Sequence, residues 1–410
     1  MLSLKTSKSR TASSGMHRRT SDAVAGDERS HLLSGHHRDD GASSSFMGKL
    51  KQATKAILFQ NYVNVLLVFV PLGILSEVLH WGPVARFTLN FLAIVPLASL
   101  LSFATEELAL KVGQTLGGLL NASFGNAVEL IVSVIALTKG QLRIVQASML
   151  GSILSNILLV LGMCFVGGGI YYKEQEFNMT VAQTMSSLMA LGTSSLLLPA
   201  AFNLALPASK HLDAETLALS RGTSIILLVI YALYLVFQLK THAELFEAEN
   251  DDEADAQISP WTAAGLLLVV TVIVSFCADI LVGSIDELVE STGISKTFVG
   301  LILIPIVGNA AEHVTAVVVT MKNKVDLAIG VSLGSAIQIS IFMTPMLVLI
   351  GWAMGQPLSL YFLPFETICL FVSVIVVNST IQDGKSNWME GAQLLAIYAI
   401  IAIGFYVYPS

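Results

Sequence analysis

The chain has 410 residues, of which 54% are apolar and 12% charged, with a formal net charge of −7. Soluble domains carry about a quarter charged residues, so this composition excludes a water-soluble globular protein and calls for a bilayer. The charge is also divided, because residues 1–58 hold 10 of the 22 Lys and Arg while a short acidic block occupies 244–255.

Residues 1–55 are rich in Ser, Arg, His, Asp and Gly and cannot bury enough apolar surface to order themselves, which predicts a disordered cytosolic tail. Within it, Glu28-Arg29-Ser30-His31-Leu32-Leu33 fits an acidic dileucine sorting pattern, and Arg18-Arg19-Thr20-Ser21 fits a basic-directed kinase site. The first apolar run starts too far along the chain for a cleavable signal peptide, so residues 56–82 are predicted to anchor as span 1. Further apolar runs begin near residues 86, 113, 144, 180, 220, 260, 297, 325, 359 and 389, each about 20 residues long, as a tilted helix requires. No alternating ten-residue strands occur, so a β-barrel is excluded. The expectation is an all-α integral membrane protein with eleven transmembrane helices. Span 1 precedes a five-helix repeat at 83–241, an acidic linker at 242–258 and a second five-helix repeat at 259–410.

With a cytosolic N-terminus and eleven alternating spans, the cytosolic side collects the ten tail residues and Lys111, Lys173, Lys240, Lys322, Lys324 and Lys385. The far side receives Arg86, Lys139, Arg143, Lys210, Arg221 and Lys296, so the bias favours this orientation. Cys164, Cys277 and Cys369 all fall inside predicted spans and offer neither a disulfide framework nor metal spacing.

Two segments inside the apolar runs repeat one pattern 183 positions apart: Gly125-Asn126-Ala127-Val128-Glu129 and Gly308-Asn309-Ala310-Ala311-Glu312. Pairing 117–152 with 300–335 without a gap gives 11 identities in 36 positions, including Leu150-Gly151-Ser152 with Leu333-Gly334-Ser335. A unit of five helices is odd, so the second copy enters the membrane from the opposite side and the repeats are inverted. Spans 3 and 8 then meet head to tail, with Glu129 and Glu312 approaching one depth.

An ionised Glu at mid-bilayer costs roughly 2.5 kcal/mol or more, so two in equivalent places call for a function. Asn126 shares a helix face with Glu129, as Asn309 does with Glu312. Gly125, Gly308 and Pro305 weaken the helices beside them, freeing backbone carbonyls. Two carboxylates, amide oxygens, carbonyls and the hydroxyls of Ser152 and Ser335, with Gln338 one turn on, form an all-oxygen shell suited to a hard cation such as Ca2+. Zinc or copper would call for His and Cys, and only His313 of eight histidines is clearly within a span.

Other acids are open to two readings. Glu106, Glu107 and Glu290, taken as the repeat mate of Glu107, form a cation vestibule or are solvated helix ends. Asp279 and Glu366 are proton relays or bonded interior acids, and His313 carries protons or is a hydrogen-bonded core residue. The linker acids, among them Glu244, Glu247, Asp251 and Asp252, concentrate cations at a pore mouth or are simply solvated. They lack the spacing of an EF-hand loop.

The segments Asn121-Ala122-Ser123-Phe124-Gly125-Asn126-Ala127-Val128-Glu129-Leu130, Gln146 to Ser152, Pro305 to His313 and Gly334-Ser335-Ala336-Ile337-Gln338 together resemble the cation/proton exchanger family, specifically vacuolar Ca2+/H+ exchangers of fungi and plants. The likeness runs from about residue 57 to the end. It implies eleven spans, an acidic helix between spans 6 and 7, and Ca2+ export from the cytosol across the vacuolar membrane into an acidic lumen. It also implies that Glu129 and Glu312 are the ion-binding acids, with the surrounding Asn, Ser and Gln residues as further ligands. Ca2+ and H+ would be substrates, with Mn2+ as a further candidate, and no cofactor or nucleic acid is expected. A sodium-coupled Ca2+ exchanger of the same superfamily and a cation channel remain as rivals. An intramembrane enzyme lacks its motifs, since there is no His-Glu-x-x-His and no Gly-x-Gly-Asp. Oligomeric state is not legible in the sequence.

Overall fold

The computed structural model describes residues 62–112, 114–206, 212–245 and 257–408. The tail with its two short motifs and the linker acids Glu247, Asp251 and Asp252 lie outside the described residues. The chain runs through α1 (Tyr62–Val78), α2 (Pro83–Val112), α3 (Gln114–Phe124), α4 (Ala127–Thr138) and α5 (Leu142–Gly169). After strand β1 (Gln175–Glu176) come α6 (Met179–Ala205), α7 (Leu212–Thr241) and α8 (Pro260–Thr292). Then follow α9 (Lys296–Gly308), α10 (Ala310–Met321), α11 (Val325–Ala353), α12 (Pro364–Thr380), strand β2 (Lys385–Ser386) and α13 (Trp388–Val407).

Seven of these helices, α2, α5, α6, α7, α8, α11 and α13, are each long and apolar enough to cross a bilayer. An eighth span is bent by 57° where α9 gives way to α10. The third span expected near residue 113 is two short helices, α3 and α4, interrupted at Gly125-Asn126. Helices α1, α4 and α12 are apolar but shorter than a full crossing.

Burial orders the bundle. The apolar windows of α5 and α11 are 83% and 72% buried by protein, against 22% for α7 and 28% for α13. Helices α5 and α11 therefore form the centre, while α7 and α13 turn residues such as Ile226, Leu233 and Ile400 outward to lipid. Both central helices contain a π turn, at Ser155–Val160 and Ile339–Met343. Each wide turn re-aims the side chains around it, a distortion common at functional sites. Gly151 lets α5 touch α9, since a Cβ there would overlap the Leu301 carbonyl oxygen. Gly151→Ala is therefore expected to destabilise the protein by about 1–3 kcal/mol through overpacking. A thermal melt in detergent checks this, and an unchanged melting temperature would mean that α5 and α9 do not depend on that close approach.

The two faces are tied differently. At the end of α5, β1 pairs antiparallel with β2, Gln175 opposite Ser386 and Glu176 opposite Lys385. Buried Gln175 donates from Nε2 to the Thr320 carbonyl (2.9 Å) and to Asn323 Oδ1 (3.0 Å), binding the turn after α10 into the same clasp. At the opposite face Arg86 pairs with Glu77 and Glu287, Lys139 with Asp279 (2.8 Å) and Arg143 with Glu366 (2.6 Å). Asp286 there accepts from Gln141 Nε2 (2.8 Å) and meets Lys296.

Candidate functional site

The twin motifs break their helices in the same way. Gly125 N–H closes α3 on the Asn121 carbonyl, Asn126 leaves helical geometry at φ −105° and ψ 35°, and α4 restarts with Leu130 N–H on the Asn126 carbonyl. In the second copy Asn309 N–H bonds the Pro305 carbonyl, Asn309 sits at φ −91° and ψ 1°, and α10 restarts with His313 N–H on the Asn309 carbonyl. Glu129 and Glu312 consequently occupy the first turns of α4 and α10. The positive end of each half-helix favours a carboxylate at that position.

Glu129 reaches across to the other motif. A Cβ on Gly308 would lie only 2.5 Å from its Oε1, so the absent side chain of Gly308 makes the room this carboxylate fills. Several groups of the predicted site residues are buried without a hydrogen-bond partner: Glu129 Oε1, both amide atoms of Asn309 and the Ser152 hydroxyl. Glu312 Oε2 is in the same condition. Native interiors rarely leave buried polar atoms unpaired, so each of these atoms calls for a partner such as an ion or water.

The complementary half is closed upon itself. Asn156 Nδ2 donates to Ser335 Oγ (3.0 Å), Ser335 Oγ donates to Asn126 Oδ1 (2.8 Å), and Asn126 Nδ2 donates to Gln338 Oε1 (2.9 Å). Asn126, Ser335 and Gln338 thus come together as the sequence predicts. Asn156 was missed, although an Asn four residues after Ser152 in an apolar span was a readable signal.

A cavity of about 370 Å3 leads from one face to this centre, with Glu106, Asn121, Asn126, Glu312, Ser335 and Gln338 on its wall. Glu129 lies beyond it, beside a void of about 10 Å3 walled by Phe91, Ile94, Leu281 and Ile304. Glu312 therefore lies on the open side of the site, with Glu129 behind it.

Of the described acids with two readings, Glu107 fits neither, and the others each take one of them. Glu107 does not join Glu106 on the cavity wall; it is buried and accepts from Ile258 N–H (2.8 Å), fastening the start of α8. Glu290 is exposed near the end of α8 and is likewise absent from that wall. Glu366 is a bonded acid: fully buried, it pairs with Arg143 and accepts from Leu363 N–H (2.9 Å) at the start of α12. Asp279 is also paired, with Lys139 at the surface. His313 is buried with Nε2 3.4 Å from Ser155 Oγ and does not line the cavity. Glu244 is exposed in a short helical turn after α7. Among the described residues no three His, Cys, Asp or Glu side chains converge.

Interrupted helices meeting at the centre of a membrane bundle, one with its carboxylate on the wall of a cavity and the other with its carboxylate behind it, define a membrane ion transporter. The chain belongs to the sodium/calcium exchanger protein family, whose pattern matches residues 83–240 and 262–407. A vacuolar calcium ion transporter of Schizosaccharomyces pombe is 52% identical over 386 residues, which is 93% of this chain and 94% of that protein. A Ca(2+)/H(+) antiporter of Aphanothece halophytica is 45% identical over 360 residues, 84% of this chain and 96% of the relative. The solved structure of native YfkE aligns with a TM-score of 0.74 at 36% identity, covering 84% of this chain and 100% of that one.

Proposed function

We propose that this chain is a secondary antiporter of a vacuolar membrane, moving cytosolic Ca2+ into an acidic lumen in exchange for H+ by alternating access at Glu129 and Glu312. The observation that carries this reading is the pair of carboxylates at the starts of two interrupted helices, each with a buried oxygen left unpartnered. The relatives' names, vacuolar calcium ion transporter and Ca(2+)/H(+) antiporter, support the ions and the membrane. The protein carries ions and catalyses no covalent reaction.

Eleven spans follow if α3 with α4, and α9 with α10, each count as one interrupted crossing. Spans 2–6 and 7–11 are then inverted repeats, an arrangement supported by the matching breaks and by π turns at matching places in α5 and α11. The helix ends refine the pairing. Helix α2 ends at Val112 and α8 at Thr292, an offset of 180 rather than 183. Glu106-Glu107-Leu108 therefore matches Asp286-Glu287-Leu288, and the counterpart of Glu107 is Glu287, not Glu290. With the N-terminus in the cytosol, the cavity beside Glu106 opens to the cytosol, and the ion pairs around Asp286 close the lumenal face.

Uptake of radioactive calcium into acid-loaded vesicles tests the reading. Accumulation that collapses with a protonophore is the expected result. Accumulation that survives it and follows a Na+ gradient instead would establish the sodium-coupled rival.

A further inference from the structure

On the closed face, two groups from two other elements meet at one carboxylate. Asp286 of α8 accepts from Gln141 Nε2 at the start of α5 (2.8 Å) and meets Lys296 Nζ at the start of α9 (2.5 Å). Beside them Lys139, following α4, pairs with Asp279 and donates to its carbonyl oxygen (2.9 Å). These bonds join α8 to the helices that carry the twin motifs. The open face differs: Glu106, which the repeat makes the counterpart of Asp286, lies on the cavity wall. The counterpart of Gln141 at offset 183 is Lys324, exposed at the start of α11, and no ion pair among the described residues includes it.

We propose that Asp286 and Glu106 exchange roles in each transport cycle, one latching the closed face while the other lines the open mouth. In the state described here, Asp286 is the latch and Glu106 is the carboxylate that a cation meets first. When the molecule turns, Asp286 releases Lys296 and Gln141 and becomes the acid of the lumenal mouth. Glu106 then closes the cytosolic face on Lys324, an ion pair in the place where the lumenal latch uses Gln141. The inference rests on the antiporter reading and its orientation, and adds an acid to the cation path that the binding site itself does not contain.

The test compares apparent Ca2+ affinity from the cytosolic and the lumenal face, in vesicles of each orientation. Affinity on either face scales with the fraction of molecules open to it, so the ratio of the two reports the conformational equilibrium. Partly exposed ion pairs bias such an equilibrium modestly, so Lys296→Gln is expected to shift the ratio about two- to fivefold in favour of the lumenal face. Lys324→Gln is expected to shift it by a similar factor towards the cytosolic face. If Lys296→Gln fails to insert, Gln141→Ala removes the other partner of Asp286 and reads the same shift. A ratio that stays put in either variant, or moves the same way in both, overturns the proposal. A merely weakened protein would lose rate on both faces and leave the ratio alone. Failure of the antiporter reading shows separately, as an unaltered protein that does not exchange Ca2+ for protons.

Discussion

Glu129→Gln and Glu312→Gln are each expected to bring proton-driven Ca2+ uptake down to background while the protein still inserts. Gln preserves the shape of the side chain and removes both its charge and its titration. A divalent ion entering a low-dielectric site needs the two negative charges to offset its own, and charge count moves Ca2+ affinity over several decades. Stability should move the other way. A buried carboxylate with an unpartnered oxygen is a cost to the empty protein, so each Gln variant should melt at or above the temperature of the unaltered protein. Uptake assays alongside melting curves separate the two effects. A variant that retains near-normal exchange would remove that residue from the site.

Coupling gives the second large effect. The oxygens that bind Ca2+ are those that bind protons, so each ligand expels the other. Apparent Ca2+ affinity should fall as pH drops on either face, by about one decade per pH unit for each proton that competes. In an acidic lumen protonation drives Ca2+ off, and at cytosolic pH the site reloads. Each proton moving down one pH unit supplies about 1.36 kcal/mol. Two protons over a gradient of about two units thus supply roughly 5.4 kcal/mol, equivalent to about a 10⁴-fold Ca2+ gradient. The measurement is Ca2+ affinity against pH with a check for competitive kinetics. Affinity that stays flat from about pH 5 to 8 would mean that protons travel by another route.

What could be read from the chain follows from what is local. Apolar runs located the helices, and Gly125-Asn126 and Gly308-Asn309 marked where two of them break. The repeat identified Glu129, Glu312, Ser335 and Gln338 as belonging to one centre. It did not reveal who touches whom. In an inverted pair, Asn126 bonds Ser335 and Gln338, more than 200 residues away, whereas its own mate Asn309 is left without partners. The same limit hid the pairing of Glu366 with Arg143 and the fastening of Ile258 by Glu107, both contacts between distant segments. Equivalence is a property of the sequence, but contact is a property of the assembled bundle.

The clasp of β1 with β2 bears on how the protein is made. Gln175 leaves the ribosome some 211 residues before Ser386, its partner across the ribbon. At ordinary translation rates of about 5–20 residues per second, that gap lasts roughly 10–40 s. Throughout that interval the end of α5 lacks both its strand partner and Trp388, which packs against Gly169 so closely that a Cβ there would collide. The first half of the chain is therefore inserted but unfinished until the last helix arrives, and a nascent chain stopped before α13 exposes that end to quality control.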